Sequence, residues 1–216
     1  MHASVLVIGL GRFGAAAARE LELLGHEVLA VDSSEAVVND IAPQVTHAVH
    51  LDASDDNALR SVGAGEFEYA IVGISGNTEA SIFATMALKQ LGVRYVIAKA
   101  ATALHGAILE RVGADRVVYP EREMGQRVAH SLGIEGVVDY LDVAREFGIV
   151  KLNPPASFVG KSFKELDMTT KFQVSPIALR RGSDVTINPH RDTVIAEGDE
   201  LIIMGRDVQL EGIGRG

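Results

Sequence analysis

The chain has 216 residues, 47% of them apolar and 23% charged, with a formal net charge of −9 and no cysteine. That composition suits a globular protein with a substantial core, enough for one large domain or for a medium and a small one. The acidic balance speaks against nucleic-acid binding, which needs a basic face, and the missing cysteines exclude disulfides, thiolate catalysis and thiolate-held metals.

Residues 1–132 alternate regularly between two patterns. Apolar, β-branched runs predict strands at 4–8, 27–31, 46–51, 69–73, 95–98 and 116–119, and helix-forming segments lie at 12–24, 34–42, 55–62, 78–91, 103–112 and 121–132. Such alternation predicts an α/β fold, a Rossmann-like doubly wound parallel sheet. Gly25, Gly63, Gly92 and Gly113 each stand where a helix should stop, and Asp55 and Asn77 precede helical segments as N-caps. Residues 133–148 form a mixed acidic stretch, expected to be a linker carrying a short crossover helix. Residues 149–216 are rich in turns, with strands expected at 174–180, 184–187 and 200–204 and a helix at 162–168. This predicts a second, small α+β C-terminal domain, marginal in core size and better stabilised as a dimer. No apolar run approaches the roughly 18 residues of a membrane span, and Met1 leads directly into a strand, so a cytoplasmic location is expected.

One motif dominates the first domain. Gly9-Leu10-Gly11-Arg12-Phe13-Gly14 follows the first strand and opens the first helix, and Asp32 closes the second strand. Strand, glycine turn, helix, strand and acid is the order of a dinucleotide-binding unit. The glycines supply a tight turn, close approach of backbone to phosphate, and close packing of helix on strand. Asp32 is placed to accept hydrogen bonds from ribose hydroxyls. Ligands of open parallel sheets bind beyond the carboxyl ends of the strands. The residues collected there are Asp32-Ser33-Ser34, Asp52-Ala53, Ile74-Ser75-Gly76 and Lys99-Ala100-Ala101, with Glu121 after the sixth strand. Arg12 adds a guanidinium beside a helix N-terminus that already favours anions, which points to ATP or ADP beside NAD(H).

Other patterns carry less. His47 and His50 stand three apart on one strand, on opposite faces, without metal-ligand spacing. Gly160-Lys161-Ser162 has the end of a P-loop without its beginning, since Pro155 stands where the first glycine belongs. No serine elbow or catalytic pair accompanies the glycine turn, so the chain reads as a binder rather than an enzyme. An NAD-dependent oxidoreductase, or a nucleotide-responsive module acting on another transporter, stays as an alternative.

GLGRFG, the AVD at 30–32, the DAS at 52–54, AKA at 98–100, GADRVVYPE at 113–121 and the EGD at 197–199 together resemble the regulatory RCK subunits of bacterial potassium uptake, the KtrA/TrkA family. The resemblance covers both domains. It implies a cytoplasmic regulatory subunit, peripheral to the inner face of the cell membrane, that gates a membrane potassium-translocating partner. It further implies homo-oligomers, dimers assembling into an octameric ring whose shape follows the bound nucleotide. Carried over by residue, it implies ligand contacts at Arg12, Asp32, Ser33, Ser34, Asp52, Ala53, Ile74, Ser75, Gly76, Lys99, Ala100, Ala101, His105 and Glu121. Glu121 would also help hold a cation, Na⁺ or Mg²⁺, at the phosphates, and the C-terminal domain resembles one that binds cyclic di-AMP in some relatives.

Overall fold

The computed structural model describes residues 2–132 and 136–213. The chain divides into two compact units, Met1–Pro120 and Glu121–Gly216.

In the first unit the predicted alternation holds throughout. It runs β1 (Ser4–Ile8), α1 (Arg12–Leu23), β2 (Glu27–Asp32), α2 (Glu35–Ile41), β3 (His47–His50), α3 (Asp56–Ser61), β4 (Tyr69–Val72), α4 (Thr78–Gln90), β5 (Tyr95–Lys99), α5 (Ala103–Arg111) and β6 (Arg116–Val118). The strands pair in parallel in the order β3-β2-β1-β4-β5-β6. Chain direction across the sheet reverses between β1 and β4, which opens a crevice at their carboxyl ends. Alternate strand residues face opposite layers. Val5, Val7, Val28 and Ala30 pack with Ala18, Val38 and Ile41 of α1 and α2. Leu6, Ile8, Leu29 and Val31 pack on the other face, with Leu59, Leu88 and Leu109 of α3, α4 and α5. Both layers are dry, so the two-residue period of each strand fixes its register.

The helix ends follow the sequence signals. Gly25, Gly63, Gly92 and Gly113 all take left-handed φ, between +69° and +113°, directly after a helix. The Asp55 carboxylate accepts from the Asn57 N–H, and the Asn77 side chain accepts from the Ala80 N–H.

The second unit opens with α6 (Pro120–Leu132), followed by β7 (Val137–Ala144) and β8 (Phe147–Leu152). Then come α7 (Phe163–Leu166), α8 (Met168–Lys171), β9 (Ser175–Arg181), β10 (Asp184–Ile187), β11 (Asp199–Arg206) and α9 (Asp207–Ile213). The five strands form an antiparallel sheet in the order β10-β9-β11-β8-β7. Its core holds Tyr140, Val150, Phe158, Leu201, Ile203 and Leu210.

Three expectations are corrected here. The expected linker at 133–148 contains the strand β7; its residues 133–135 lie outside the described residues. β7 hid from the pattern because its pairing with β8 shifts twice, between Val137 and Asp139 and between Asp142 and Ala144, which breaks the alternation. The expected boundary after Leu132 falls instead after Pro120. The Arg127 guanidinium forks onto the Asp139 carboxylate, and the His130 ring stacks on Tyr140 at 4.6 Å, both tying α6 to β7. The helix expected at 162–168 is two single turns, α7 and α8. They are separated by Asp167 at φ +46°, a left-handed conformation that ends the first helix.

Candidate functional site

The turn after β1 is shaped by two glycines for two reasons. Gly9 sits at φ +85°, and a Cβ there would lie 2.7 Å from the Ile74 nitrogen. Gly14 is buried, and its Cβ would lie 1.9 Å from the Gly9 carbonyl oxygen. No other residue fits at either position. Gly11 differs. Its φ of −62° suits any residue, and the nearest atom to a Cβ would be the Ser75 hydroxyl at 3.9 Å. The fold therefore needs no glycine at position 11, whereas a group seated on the turn would.

Gly11 is also the N-cap of α1, with no side-chain cap and no acidic residue in the first turn. The free N–H groups and the dipole of a 12-residue helix thus face outward at this end, a ready place for an anion. Arg12 is exposed beside it. Phe13 is half-buried in the same turn.

Asp32 locks the turn in place. One carboxylate oxygen accepts from the Leu10 N–H at 2.6 Å, inside the glycine turn, and the other from the Ser34 N–H at 2.9 Å. Each oxygen keeps a lone pair, so the group remains an acceptor. The Asp32 carbonyl accepts from the Leu51 N–H at 2.9 Å, joining the β2 and β3 ends. Beyond β3, the Asp52 carboxylate accepts from the Ser54 N–H and hydroxyl at 2.9 and 2.7 Å. These bonds hold its pKa below the usual carboxylate value, the backbone donor contributing most.

These loops enclose a cavity of about 390 Å³ at the β1/β4 switch point. It gathers Gly9, Gly11, Asp32, Ser33, Asp52, Ala53, Ile74, Ser75 and Gly76, nine of the expected site residues from four separate loops. The expectation had left out Ser54, Asn77 and Ala80, which also line it. Ser54 carried a signal, two residues after an aspartate in an Asx turn, and Asn77 and Ala80 form the capped first turn of α4.

The remaining expected residues do not line this cavity. Ser34 lies behind Asp32 as the N-cap of α2, and Arg12, Phe13 and Gly14 belong to the first turn of α1. Lys99 and Ala100 are buried and Ala101 is exposed at the end of β5. His105 is 4% exposed, and its Nδ1 accepts from the Ala101 N–H at 3.3 Å. The proton therefore sits on Nε2, which is buried without a partner among the described residues; burial pushes the ring pKa down and keeps it neutral. Glu121 lies in the first turn of α6, in the second unit. No group of three or more His, Asp or Glu among the described residues could hold a metal ion. No described helix is long and apolar enough to cross a membrane.

Fold and cavity define a class, a Rossmann-type protein with its crevice at the switch point of a parallel sheet and a second, antiparallel domain appended. The TrkA-N domain matches residues 5–120 and the TrkA-C domain residues 148–213, so the chain belongs to the TrkA family of potassium-transport proteins with RCK domains. It is 41% identical over 205 residues to Ktr system potassium uptake protein A of Bacillus subtilis strain 168, covering 95% of this chain and 92% of that protein. Its fold matches the crystal structure of the GsuK RCK domain with a TM-score of 0.68 at 20% identity, over 100% of this chain and 47% of that one. This chain thus spans less than half of that structure. The NAD(P)-binding domain of an exopolyphosphatase-related protein from Archaeoglobus fulgidus matches at TM-score 0.52 and 25% identity, covering 58% of this chain and 93% of that one.

Proposed function

We propose that this chain is the nucleotide-binding regulatory subunit of a potassium uptake system, acting without catalysis at the cytoplasmic face of a membrane-embedded potassium-translocating partner. The observation that carries the nucleotide site is the room above Gly11: a backbone cradle that the fold leaves open, at a helix N-terminus, beside the Asp32 acceptor. A pyrophosphate fits that cradle through α1 N–H groups, with Arg12 beside it for further phosphate oxygens. The ribose hydroxyls would donate to Asp32, and the base would lie toward Asp52 and Ala53. The titratable side chains lining the cavity are Asp32 and Asp52, both engaged as acceptors by backbone N–H groups. Identity to the B. subtilis Ktr protein over nearly the full length of both chains supports the potassium-uptake role.

Regulation requires unequal binding to two conformations. A difference of about 1.4 kcal/mol gives a tenfold shift, which one extra phosphate meeting Arg12 can supply for ATP over ADP. The conformations in question are those of an assembly. α6 has no buried residue and presents Met124, Val128 and Leu132 at 54%, 51% and 83% exposure, one apolar stripe at i, i+4 and i+8. That stripe supports self-association into dimers, and from them the expected octameric ring. Among the described residues no set of three or more His, Asp or Glu could hold a metal ion; any Na⁺ or Mg²⁺ would be held chiefly by the phosphates, with Glu121 contributing from the assembly.

Thermal melting with ATP, ADP, NADH and cyclic di-AMP, with and without Na⁺ or Mg²⁺, tests the reading, since a ligand that binds only the folded state raises the midpoint. Stabilisation by adenine nucleotides is expected. No shift with any of them at millimolar concentration would sink the nucleotide-binding role.

A further inference from the structure

One hydrogen bond in the loop carrying Asp32 comes from a histidine outside the glycine motif. Three carbonyls lie along Asp32-Ser33-Ser34. That of Asp32 accepts from the Leu51 N–H and that of Ser34 from the Val38 N–H, backbone donors that almost any sequence would supply. The Ser33 carbonyl is held by a side chain, His50 Nε2, at 2.9 Å. A carbonyl only accepts, so Nε2 carries the proton and donates. His50 ends β3 directly opposite Asp32 in the parallel register, next to the loop it contacts.

We propose that His50 is a positioning residue for ribose recognition. It fixes the Ser33 peptide plane, and with it the rim formed by Asp32 and Ser33, so that the free Asp32 lone pairs point at the sugar hydroxyls. Ser33 and Asp32 both line the cavity, whereas His50 stays outside it, exposed, and touches the site through one hydrogen bond. This inference rests on the nucleotide reading and adds a residue to it.

The test is calorimetric binding of ADP and of its 2′,3′-dideoxy analogue to the full chain and to His50→Leu, His50→Ala and His50→Gln. One lost hydrogen bond predicts ADP affinity weakened about fivefold in the Leu and Ala variants. The dideoxy analogue, with no hydroxyl for Asp32 to read, should lose little. Gln, whose amide can donate to the same carbonyl, should recover most of the ADP affinity. Equal weakening of both ligands would overturn the proposal, as would unchanged ADP binding in the Leu and Ala variants or a Gln variant no better than Ala. Failure of the unmodified chain to bind either ligand would instead overturn the nucleotide reading itself. Melting midpoints without ligand, within about 2 °C of each other, show that all four proteins are folded.

Discussion

Three glycines in one hexapeptide do different work, and single substitutions separate them. Gly14→Ala drives a methyl group into the Gly9 carbonyl 1.9 Å away, so we expect about 3 kcal/mol or more of destabilisation in urea melts. Gly11→Ala meets nothing closer than 3.9 Å and should cost about 1 kcal/mol or less, as a weaker N-cap. The same variant should lose most of its nucleotide affinity, because the methyl occupies the phosphate cradle. A Gly11→Ala protein that is stable and binds ATP normally would remove the turn from the site. Arg12→Ala should weaken ATP more than ADP in calorimetry, and equal losses would refute phosphate counting. The separate duties of Gly9 and Gly14 were readable from spacing alone. The second duty of Asp32, holding the Leu10 N–H, was not, because that hydrogen bond joins residues 22 apart in sequence. Asp32→Ala is therefore expected to lower both nucleotide affinity and melting temperature, where a purely ligand-facing carboxylate would change only the first.

Elements were legible where their period was clean. The central strands β1 and β2 bury both faces, so they read as unbroken apolar runs, and caps marked the helix ends. β7 was illegible because it is an edge strand with two register shifts and carries Asp139 and Asp142 in its midst. Its aspartates look like linker until Arg127 is seen to pair with one of them. In the same domain the Asp199 carboxylate is fully buried and forked onto the Arg181 guanidinium at 2.7 Å, while also accepting from the Ala196 N–H at 2.7 Å. The Arg181 hydrogen bonds hold its pKa below the ordinary carboxylate value, the Ala196 N–H adding to the effect against the opposing cost of burial. Asp199→Ala leaves the Ala196 N–H and the guanidinium without their acceptor, and about 2 kcal/mol of lost stability is expected. A depressed carboxylate pKa contributes stability that is complete above the unfolded value, near 4, and disappears as pH falls through the lower folded value. The stability gap between the natural chain and Asp199→Asn should thus be constant from about pH 7 to 5 and shrink below about pH 4, measured by urea melts across that range.

At the scale of the whole molecule, α6 presents an apolar stripe to solvent. A 13-residue helix with no buried residue, held to β7 by Arg127 and His130, leaves that stripe open, and we propose that a second copy of the chain covers it. Val128→Glu, a charge at the centre of the stripe, should shift the protein toward monomer in sedimentation velocity while leaving ATP affinity of the first unit within about threefold. Unchanged assembly would place the contact elsewhere. ATP and ADP should give different sedimentation coefficients in the unmodified assembly if nucleotide exchange changes its shape.

Sequence by itself determined the parallel sheet, its helix caps, the glycine turn and most of the residues around the crevice. Each of these rests on local chemistry: a two-residue period, a left-handed glycine, an acid at a strand end. Tertiary structure alone decided that β7 is a strand, that α6 packs with the second unit, and that Gly11 has open space above it. It also decided that His50 reaches the Ser33 carbonyl. Those facts come from pairings between residues distant in the chain, whose geometry no local pattern encodes.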